Sequence, residues 1–407
     1  MRLLHTSDWH LGQTLHQFER TYEHAQFLAW LLDTLEQEQI DALLVAGDLF
    51  DNANPSAAAQ RQLYQFLTEA RRRLPQLSII LIAGNHDSPV RVEVPEPFLQ
   101  LFEATVIGQV NHLANGKVDL ARLVVPLKDT HGIIRAWCLA IPFLRPADVP
   151  RVAYAQNTYA AGAEVLYQQA YDYACQLRQP GQAIIAMGHC YMQGGQASQE
   201  SERRIVIGGA EAWSADWFDP DIAYVALGHL HLAQKVGGQA HIRYSGSPLP
   251  MSFAETAYTH QVIRVDLESE QVQAIQPIQV PRFIELIQLP KQPADLATVE
   301  AALRQLDLPK VAEAQWPYLM VRLLLDMPEP GLRMRIEAAL AGKPVRLARI
   351  EVKNSQGAVQ DMPLLSLDEL QLLEPTEIFQ QLYQQKYASE VPPAMLEAFA
   401  ELLLAVE

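Results

Sequence analysis

The chain has 407 residues, with 47 acidic and 31 basic side chains and a formal net charge of −16. Hydrophobic residues make up 49% and charged residues 19%, which excludes an intrinsically disordered protein and leaves room for two or three domains. The acidic balance argues against bulk electrostatic binding of nucleic acid by this chain alone. Three scattered cysteines, Cys138, Cys175 and Cys190, indicate a reducing, cytoplasmic compartment. We expect neither a signal peptide nor a membrane span.

The first ninety residues alternate between apolar strands and amphipathic helices. Strands are predicted at Arg2–His5, Asp41–Ala46 and Ser78–Ala83, where short apolar runs end in polar residues. The helix between the first two strands carries leucines on one face, and the helix before the third begins after Ser56 and ends before Pro75. This βαβαβ order predicts a parallel sheet covered on both faces.

The middle of the chain predicts a second sheet packed on the first. Val124–Leu127 and Ile133–Phe143 flank a polar turn and are typical of an antiparallel pair, and Val152–Arg178 is typical of a long helix. Further strands are predicted at Ala183–Met187, Arg204–Ile207, Ile222–Leu227, Ile242–Tyr244 and Gln261–Val265.

Beyond Pro277–Pro281 the pattern restarts as a small βαβαβ domain. Its predicted elements are Phe283–Leu289, Leu296–Leu306, Tyr318–Leu325, Gly331–Leu340 and Val345–Val352. Glu377–Leu404 is predicted to be helical, with an interruption at Pro392-Pro393. The predicted fold is therefore an α/β two-sheet sandwich (1–275) flanked by helices, a small α/β capping domain (282–355) and a helical C-terminal tail (375–407).

Five of the predicted strands end in residues that can bind a metal ion. The residues at these strand ends are Asp8 and His10, Asp48, Asn85 and His86, His189, and His229 and His231. One histidine after a strand is most often a half-buried, hydrogen-bonded residue. Because ligands gather at the carboxyl ends of strands in open α/β sheets, five such strand ends together predict one joint site.

The residue types at these strand ends indicate the chemistry of the site. Carboxylate, amide and imidazole ligands without a thiolate suit Mn²⁺, Fe²⁺ or Zn²⁺. Asp48 is the natural bridging carboxylate of a two-metal pair. Such a pair activates a shared water and clamps a phosphate, which suits attack on a phosphoester.

Five motifs resemble those of the calcineurin-like metallophosphoesterase family. They are Asp8-Trp9-His10, Gly47-Asp48-Leu49-Phe50-Asp51, Gly84-Asn85-His86-Asp87, Gly188-His189 and Gly228-His229-Leu230-His231. The resemblance implies one metal held by Asp8, His10, Asp48 and His231. It implies a second metal held by Asp48, Asn85, His189 and His229. His86 would protonate the leaving oxygen or steady the transition state, and Asp51 and Asp87 would orient histidine ligands.

The residues around these motifs, with Tyr244-Ser245-Gly246-Ser247-Pro248, resemble the SbcD family, the nuclease subunits of bacterial SbcCD complexes. This resemblance implies a two-metal DNA nuclease, for which Mn²⁺ is the expected metal, that acts on double-stranded ends, hairpins and single strands in repair and recombination. It also implies an ABC-type ATPase partner, SbcC, docked through the C-terminal helices. A homodimer within a heterotetramer is implied as well.

Two other functions remain open from the residues alone. The core motifs also fit a phosphodiesterase or nucleotidase that acts on small substrates, although such an enzyme needs neither the extra α/β domain nor the tail. A phosphoesterase fold kept as a binding scaffold is the non-catalytic alternative, but scaffolds of this kind typically lose ligands. The apolar residues of the tail could also pack on their own domain, although the resemblance favours docking on the partner.

Overall fold

The structure is a computed structural model that describes residues 1–95, 99, 102–152, 157–196, 198, 212–325, 327 and 329–353, with residues 379, 380, 383, 384, 391, 392, 395, 396 and 399 of the tail. The chain divides into two compact units, Met1–Glu285 and Leu286–Glu407. The first unit contains two clusters of buried apolar residues, and the second unit contains one among its described residues. The two are therefore described one after the other.

The first unit alternates strands and helices over most of its length. Its elements in the first half are β1 (Arg2–Thr6), α1 (Thr21–Gln37), β2 (Ala42–Ala46), α2 (Ala57–Arg73), β3 (Ser78–Ile82), α3 (Pro89–Glu93), β4 (Ala104–Ile107) and α4 (Leu120–Leu123). A hairpin of two short strands, Thr14–Leu15 and Phe18–Glu19, lies between β1 and α1 in the chain. The second half contains β5 (Val124–Lys128), β6 (Ile134–Ala140), α5 (Thr158–Leu177), β7 (Ala183–His189), β8 (Ile222–Gly228), β9 (Gln234–Val236), β10 (Gln239–Tyr244), β11 (Gln261–Glu268) and β12 (Gln271–Gln279).

These strands form two six-stranded sheets. The order in the first sheet is β12-β11-β1-β2-β3-β4, and the order in the second is β9-β10-β8-β7-β6-β5. Strands β1 to β4 run parallel, as do β6, β7, β8 and β10, while β11, β12, β5 and β9 pair antiparallel to their neighbours. The strands that end in predicted metal ligands are thus all interior, parallel strands of the two sheets.

Side chains alternate between the two faces of the first sheet. One face packs against the second sheet, and the other packs against helices. In β2, Ala42, Leu44 and Ala46 belong to a cluster shared with the second sheet, whereas Leu43 and Val45 pack with apolar residues of α1 and α2. Successive side chains of a strand point to opposite faces, so a continuous apolar run buries both faces of β2. The predicted α/β sandwich flanked by helices is confirmed.

Most predicted elements of this unit are found, and some elements that were not predicted are added. Helix α2 begins after Ser56 as expected, because the Ser56 hydroxyl accepts a hydrogen bond from the Ala59 amide at 3.2 Å. The edge strand β12 was not predicted and continues past residue 275. Its glutamine-rich sequence has no apolar run and contains Pro277, which an edge strand tolerates. The strand predicted at 204–207 lies outside the described residues.

The second unit begins with a three-stranded parallel sheet. Its elements are β13 (Leu286–Ala294), α6 (Leu296–Gln305), β14 (Tyr318–Leu324), α7 (Leu332–Ala339) and β15 (Arg346–Lys353), with sheet order β13-β14-β15. Strand β13 starts at Leu286 rather than at Phe283, and the other elements match the predicted βαβαβ order. In the tail, the rings of Phe379 and Phe399 stack with centroids 4.3 Å apart. Across the described parts of both units, no helix is long and apolar enough to span a membrane.

Candidate metal centre

The interior strands of both sheets bring the eight predicted residues together. Asp8 and His10 follow β1, Asp48 follows β2, Asn85 and His86 follow β3, His189 ends β7, and His229 and His231 follow β8. Six of them are buried and no more than 7% exposed, whereas Asn85 is half-buried and His86 is exposed. The structure therefore places the predicted ligands inside the protein or at its edge and leaves the predicted acid accessible to solvent.

Close backbone approach and unusual backbone angles shape the site. A Cβ atom on Gly84 would lie 2.1 Å from Asp48 Oδ1, and one on Gly228 would lie 1.8 Å from the Ala46 carbonyl oxygen. Only glycine, which has no Cβ atom, fits at these two positions. Four predicted ligands have a positive φ, a rarely adopted conformation for residues with a side chain: Asp8 (53°), His10 (46°), Asp48 (50°) and His229 (106°). Strain of this kind concentrates at functional sites.

One group of ligand atoms is formed by Asp8, His10 and His231, whose donor atoms all lie within 4.8 Å of one another. The rings of His10 and His231 meet edge to face, with centroids 5.3 Å apart. His10 Nε2 is buried, lies 3.6 Å from Asp48 Oδ2 and has no hydrogen-bond partner among the described residues. A buried nitrogen without a partner is costly unless something else binds it, and a metal ion would do so.

A second group is centred on His189. Its Nδ1 lies 2.8 Å from the Ala46 carbonyl oxygen, which can only accept a hydrogen bond. In the neutral ring Nε2 then carries a lone pair and accepts hydrogen bonds. Its neighbours, Asn85 Oδ1 at 3.0 Å and Asp48 Oδ2 at 3.3 Å, are acceptors too. Three acceptors that converge in this way need a positive charge between them, either a proton or a metal ion. His229 Nδ1 also lies 3.0 Å from Asn85 Oδ1.

Burial and the charges of neighbouring side chains shift the pKa values of the predicted ligands. Burial lowers the pKa of His189, but the charge of Asp48 and their hydrogen bond outweigh this and raise it to about 9. Burial raises the pKa of Asp48, and the nearby histidines, His189 foremost, shift it the other way to a net lowered value. Burial and the charge of His189 lower the pKa of His229 to about 3. At neutral pH the centre thus holds an ionised Asp48, a protonated His189 and a neutral His229, and metal binding would displace the proton of His189.

The predicted acid and one predicted orienting residue lie beside these ligands. His86 Nδ1 lies 2.7 Å from the backbone oxygen of Asp51, so Nδ1 donates and Nε2 is left for another partner. The Asp51 carboxylate is 3.4 Å from His10 Nδ1. His86 is also within 4.8 Å of donor atoms of His10 and Asp48, so geometry alone does not set it apart from a ligand.

The carboxylate of Asp87 binds backbone amides rather than the histidine we expected. It accepts hydrogen bonds from Gly84 at 2.9 Å and from Leu49 and Phe50 at 3.0 Å each. Burial, and then the charge of Asp48, raise the pKa of Asp87 to about 6, against the effect of the three amides. Asp87 therefore fixes the loop after β2 to the loop after β3, the two loops that carry Asp48 and Asn85.

Three contacts of the site were missed by sequence reasoning. The hydroxyl of Ser7 donates to Asp8 Oδ2 at 2.5 Å and lies 2.8 Å from the hydroxyl of Ser245. Both serines stand inside recognised motifs, so their position could have suggested this pairing. His231 Nδ1 lies 2.9 Å from Glu255 Oε1. No motif contains Glu255, and only the fold brings it to the site.

The donor set fits divalent metal ions. Carboxylate oxygens, an amide oxygen and imidazole nitrogens converge, and the Nδ1 atoms of His189 and His231 are each paired with an oxygen of a residue outside the predicted ligand set. This arrangement of paired outer nitrogens is typical of metal-binding histidines. The described residues alone supply three groups of three possible metal-binding side chains.

Comparison with known proteins places these residues in a family. A family model described as calcineurin-like phosphoesterase matches residues 1–233. A second model, described as type 5 capsule protein repressor C-terminal domain, matches residues 282–387. The first match covers the whole of the candidate metal centre.

Three relatives, all named as the SbcD component of the nuclease SbcCD, match over most or much of their length. The protein from Rhodobacter capsulatus is 42% identical over 363 residues, which is 88% of this chain and 89% of that protein. The one from Escherichia coli K12 is 33% identical, over 88% of this chain and 86% of that protein. The one from Bacillus subtilis is 35% identical, over 65% and 66% respectively. This chain therefore belongs to the calcineurin-like phosphoesterases and, among them, to the SbcD family of SbcCD nucleases.

Proposed function

We propose that this chain is a nuclease subunit that hydrolyses phosphodiester bonds of DNA together with an SbcC-type ATPase. The observation that carries the proposal is the convergence of Asp8, Asp48 and four histidines on one buried centre in a chain of this family. A two-metal phosphoesterase needs such a set of oxygen and imidazole ligands. The exposed His86 at its edge gives a substrate access to a proton-bearing group.

Two divalent ions, for which Mn²⁺ is our assignment, would be held by two ligand sets that share Asp48. The first set is Asp8, His10, Asp48 and His231, and the second is Asp48, Asn85, His189 and His229. Bound there, the ions would supply an acidified water and neutralise charge on the phosphate. The buried positions of the ligands and their paired outer nitrogens support this assignment.

His86 is assigned the proton transfer to the leaving sugar oxygen. Its Nδ1–H donates to the Asp51 carbonyl, which fixes the ring and directs Nε2 away from that bond. The His86 amide also donates to Asp48 Oδ1 at 2.9 Å, so the loop that carries His86 is fastened to the centre of the ligand set. A protonated Nε2 can give its proton to the departing oxygen, which is general acid catalysis.

The substrates we assign are double-stranded ends, hairpins and single strands. Because the chain carries a net charge of −16, its own electrostatic attraction for DNA phosphates is weak. The complex with the ATPase would supply most of the affinity for DNA. We assign catalysis to residues 1–275, the capping role to 282–355 and partner docking to 375–407. A homodimer within a heterotetramer is part of the same proposal, as is a cytoplasmic location, which the free cysteines suit.

The test is metal-dependent DNA cleavage by the chain purified together with its ATPase. A hairpin oligonucleotide should be cleaved in Mn²⁺ and ATP, and a cyclic nucleotide should be turned over far more slowly. Asp48→Asn and His86→Ala should each lower hairpin cleavage by about 100-fold or more, in line with the loss of a central catalytic group. His131→Ala is the matched control, since His131 is an exposed histidine in the turn between β5 and β6.

Two outcomes would contradict the proposal. If both variants cleaved the hairpin as well as the unaltered chain, the site assignment would be wrong. If the cyclic nucleotide were the better substrate, the alternative function, a metallophosphodiesterase or nucleotidase for small substrates, would replace the nuclease.

A further inference from the structure

Glu255 lies in a short turn of helix, Phe253–Ala257, that follows the second sheet in the chain. Its side chain is completely buried, with an exposed fraction of 0%. Oε1 lies 2.9 Å from His231 Nδ1, and Oε2 accepts the backbone amide of Met251 at 2.7 Å. A buried carboxylate is costly without hydrogen-bond donors, and each oxygen here has one.

The contact with Glu255 determines which nitrogen of His231 carries the proton. An ionised carboxylate can only accept hydrogen bonds, so His231 Nδ1 must be the donor. In the neutral ring His231 Nε2 is then unprotonated and carries a lone pair. His231 offers one ligand atom within 4.8 Å of those of Asp8 and His10, and because Nδ1 is bonded to Glu255 we take Nε2 as that atom.

We propose that Glu255 is a positioning residue of the metal centre, which holds His231 in the tautomer and ring orientation that ligation needs. The inference rests on the proposed function, because it takes His231 as a metal ligand. Outer carboxylates of this kind typically change metal affinity by about 10-fold to 100-fold when they are removed.

The loop beside Glu255 has other anchors, so the contact with His231 is separable from the fold. Arg20 Nη1 donates to the Pro250 carbonyl at 2.7 Å, and the Gln13 side chain donates to the Met251 carbonyl at 3.1 Å. The Ser247 amide donates to the His231 carbonyl at 3.1 Å. These bonds hold the loop and the His231 backbone in place when Glu255 is changed, whereas Glu255 contacts the ring of His231.

Glu255→Gln is the decisive variant because it keeps the size of the side chain and reverses its hydrogen bonding toward His231. The Met251 amide can only donate, so the glutamine oxygen pairs with it and the glutamine NH₂ turns toward His231 Nδ1. That NH₂ group needs an acceptor, which favours the tautomer with the proton on Nε2, the nitrogen needed by the metal.

Ser252→Ala is the matched control. The Ser252 hydroxyl accepts the Ala254 amide at 3.2 Å and caps the same turn of helix. The change removes a local hydrogen bond of this segment without touching a predicted ligand. It should lower the stability of the segment and leave metal affinity unchanged.

The experiment measures Mn²⁺ binding by calorimetry and the tautomer of His231 by ¹⁵N NMR of the metal-free, histidine-labelled chain. Glu255→Gln should weaken binding at one of two Mn²⁺ sites by about 10-fold to 100-fold and move the His231 proton from Nδ1 to Nε2. Ser252→Ala should change neither quantity.

The inference is overturned if Glu255→Gln binds Mn²⁺ like the unaltered chain, or if Ser252→Ala weakens binding equally. It is also overturned if His231 in the unaltered chain carries its proton on Nε2. Failure of the proposed function has a different signature, since the unaltered chain would then bind no Mn²⁺ or cleave no DNA while the NMR result on His231 still stands.

Discussion

The close packing of Gly84 against Asp48 allows a test of whether the position of Asp48 depends on a glycine at residue 84. In Gly84→Ala the new Cβ would lie 2.1 Å from Asp48 Oδ1 and 2.3 Å from the Asp48 amide nitrogen, whereas ordinary contacts begin at 3.4 Å. Asp48 must therefore retreat by about 1 Å or more, and a misplacement of about 1 Å at a reacting centre costs about 100-fold in rate. The overpacking itself should cost about 1–3 kcal/mol of stability.

Two assays separate these effects in Gly84→Ala. Hairpin cleavage in Mn²⁺ should fall by about 100-fold, and urea unfolding should show the modest loss of stability that overpacking predicts. Gly181→Ala is the control, because Gly181 has a positive φ of 84° and nothing within 4 Å of the new Cβ. It should cost about 1 kcal/mol of stability and no activity. Cleavage within about twofold of the unaltered chain in Gly84→Ala would refute the steric reasoning.

Three further predictions concern buried residues around the centre. Burial lowers the pKa of His5 from 6.5 to about 3, so only the unfolded chain takes up this proton between those values; the stability is complete above pH 6.5 and is lost as the pH falls toward 3, by about 1.4 kcal/mol per pH unit. Urea melts of His5→Gln should show a flatter pH dependence, and equal slopes would be contrary evidence. In Asp87→Asn an NH₂ group replaces one carboxylate oxygen, so one of the three backbone amides loses its acceptor. The free energy of unfolding should fall by about 1–3 kcal/mol in the same melts, and an unchanged midpoint would contradict the role of Asp87 in joining the two loops. Trp9, fully buried against Phe27 and Phe66, should cost about 3–5 kcal/mol on truncation to alanine, and a loss below about 1 kcal/mol would contradict its place in the core.

Local sequence determined where most strands and helices form. Short apolar runs such as Ala42–Ala46 bury both faces, and Ser56 marks the start of α2, so these elements were predictable from neighbouring residues. Strand β12 was not, because an edge strand rich in glutamine is stabilised by pairing with β11 rather than by its own apolar pattern.

The sequence also placed the predicted ligands, since residues that end interior parallel strands gather at one edge whatever the details of packing. It suggested a histidine neighbour for Asp51, whose carboxylate lies 3.4 Å from His10 Nδ1 through the loop after β2. It suggested a histidine partner for Asp87 as well, whereas the fold surrounds that carboxylate with backbone amides. Which partner a side chain meets depends on loop geometry, and strand periodicity carries no information about loops.

The acidic composition, the strand pattern and the metal-binding residue types can therefore be read directly from the sequence. The tertiary structure decided the orientation of each imidazole. His231 is held by Glu255, 24 positions away along the chain, and His189 by the carbonyl of Ala46, 143 positions away. The physical reason is that a hydrogen bond is short and directional, so its partner is known only once the backbone has brought distant segments within about 3 Å.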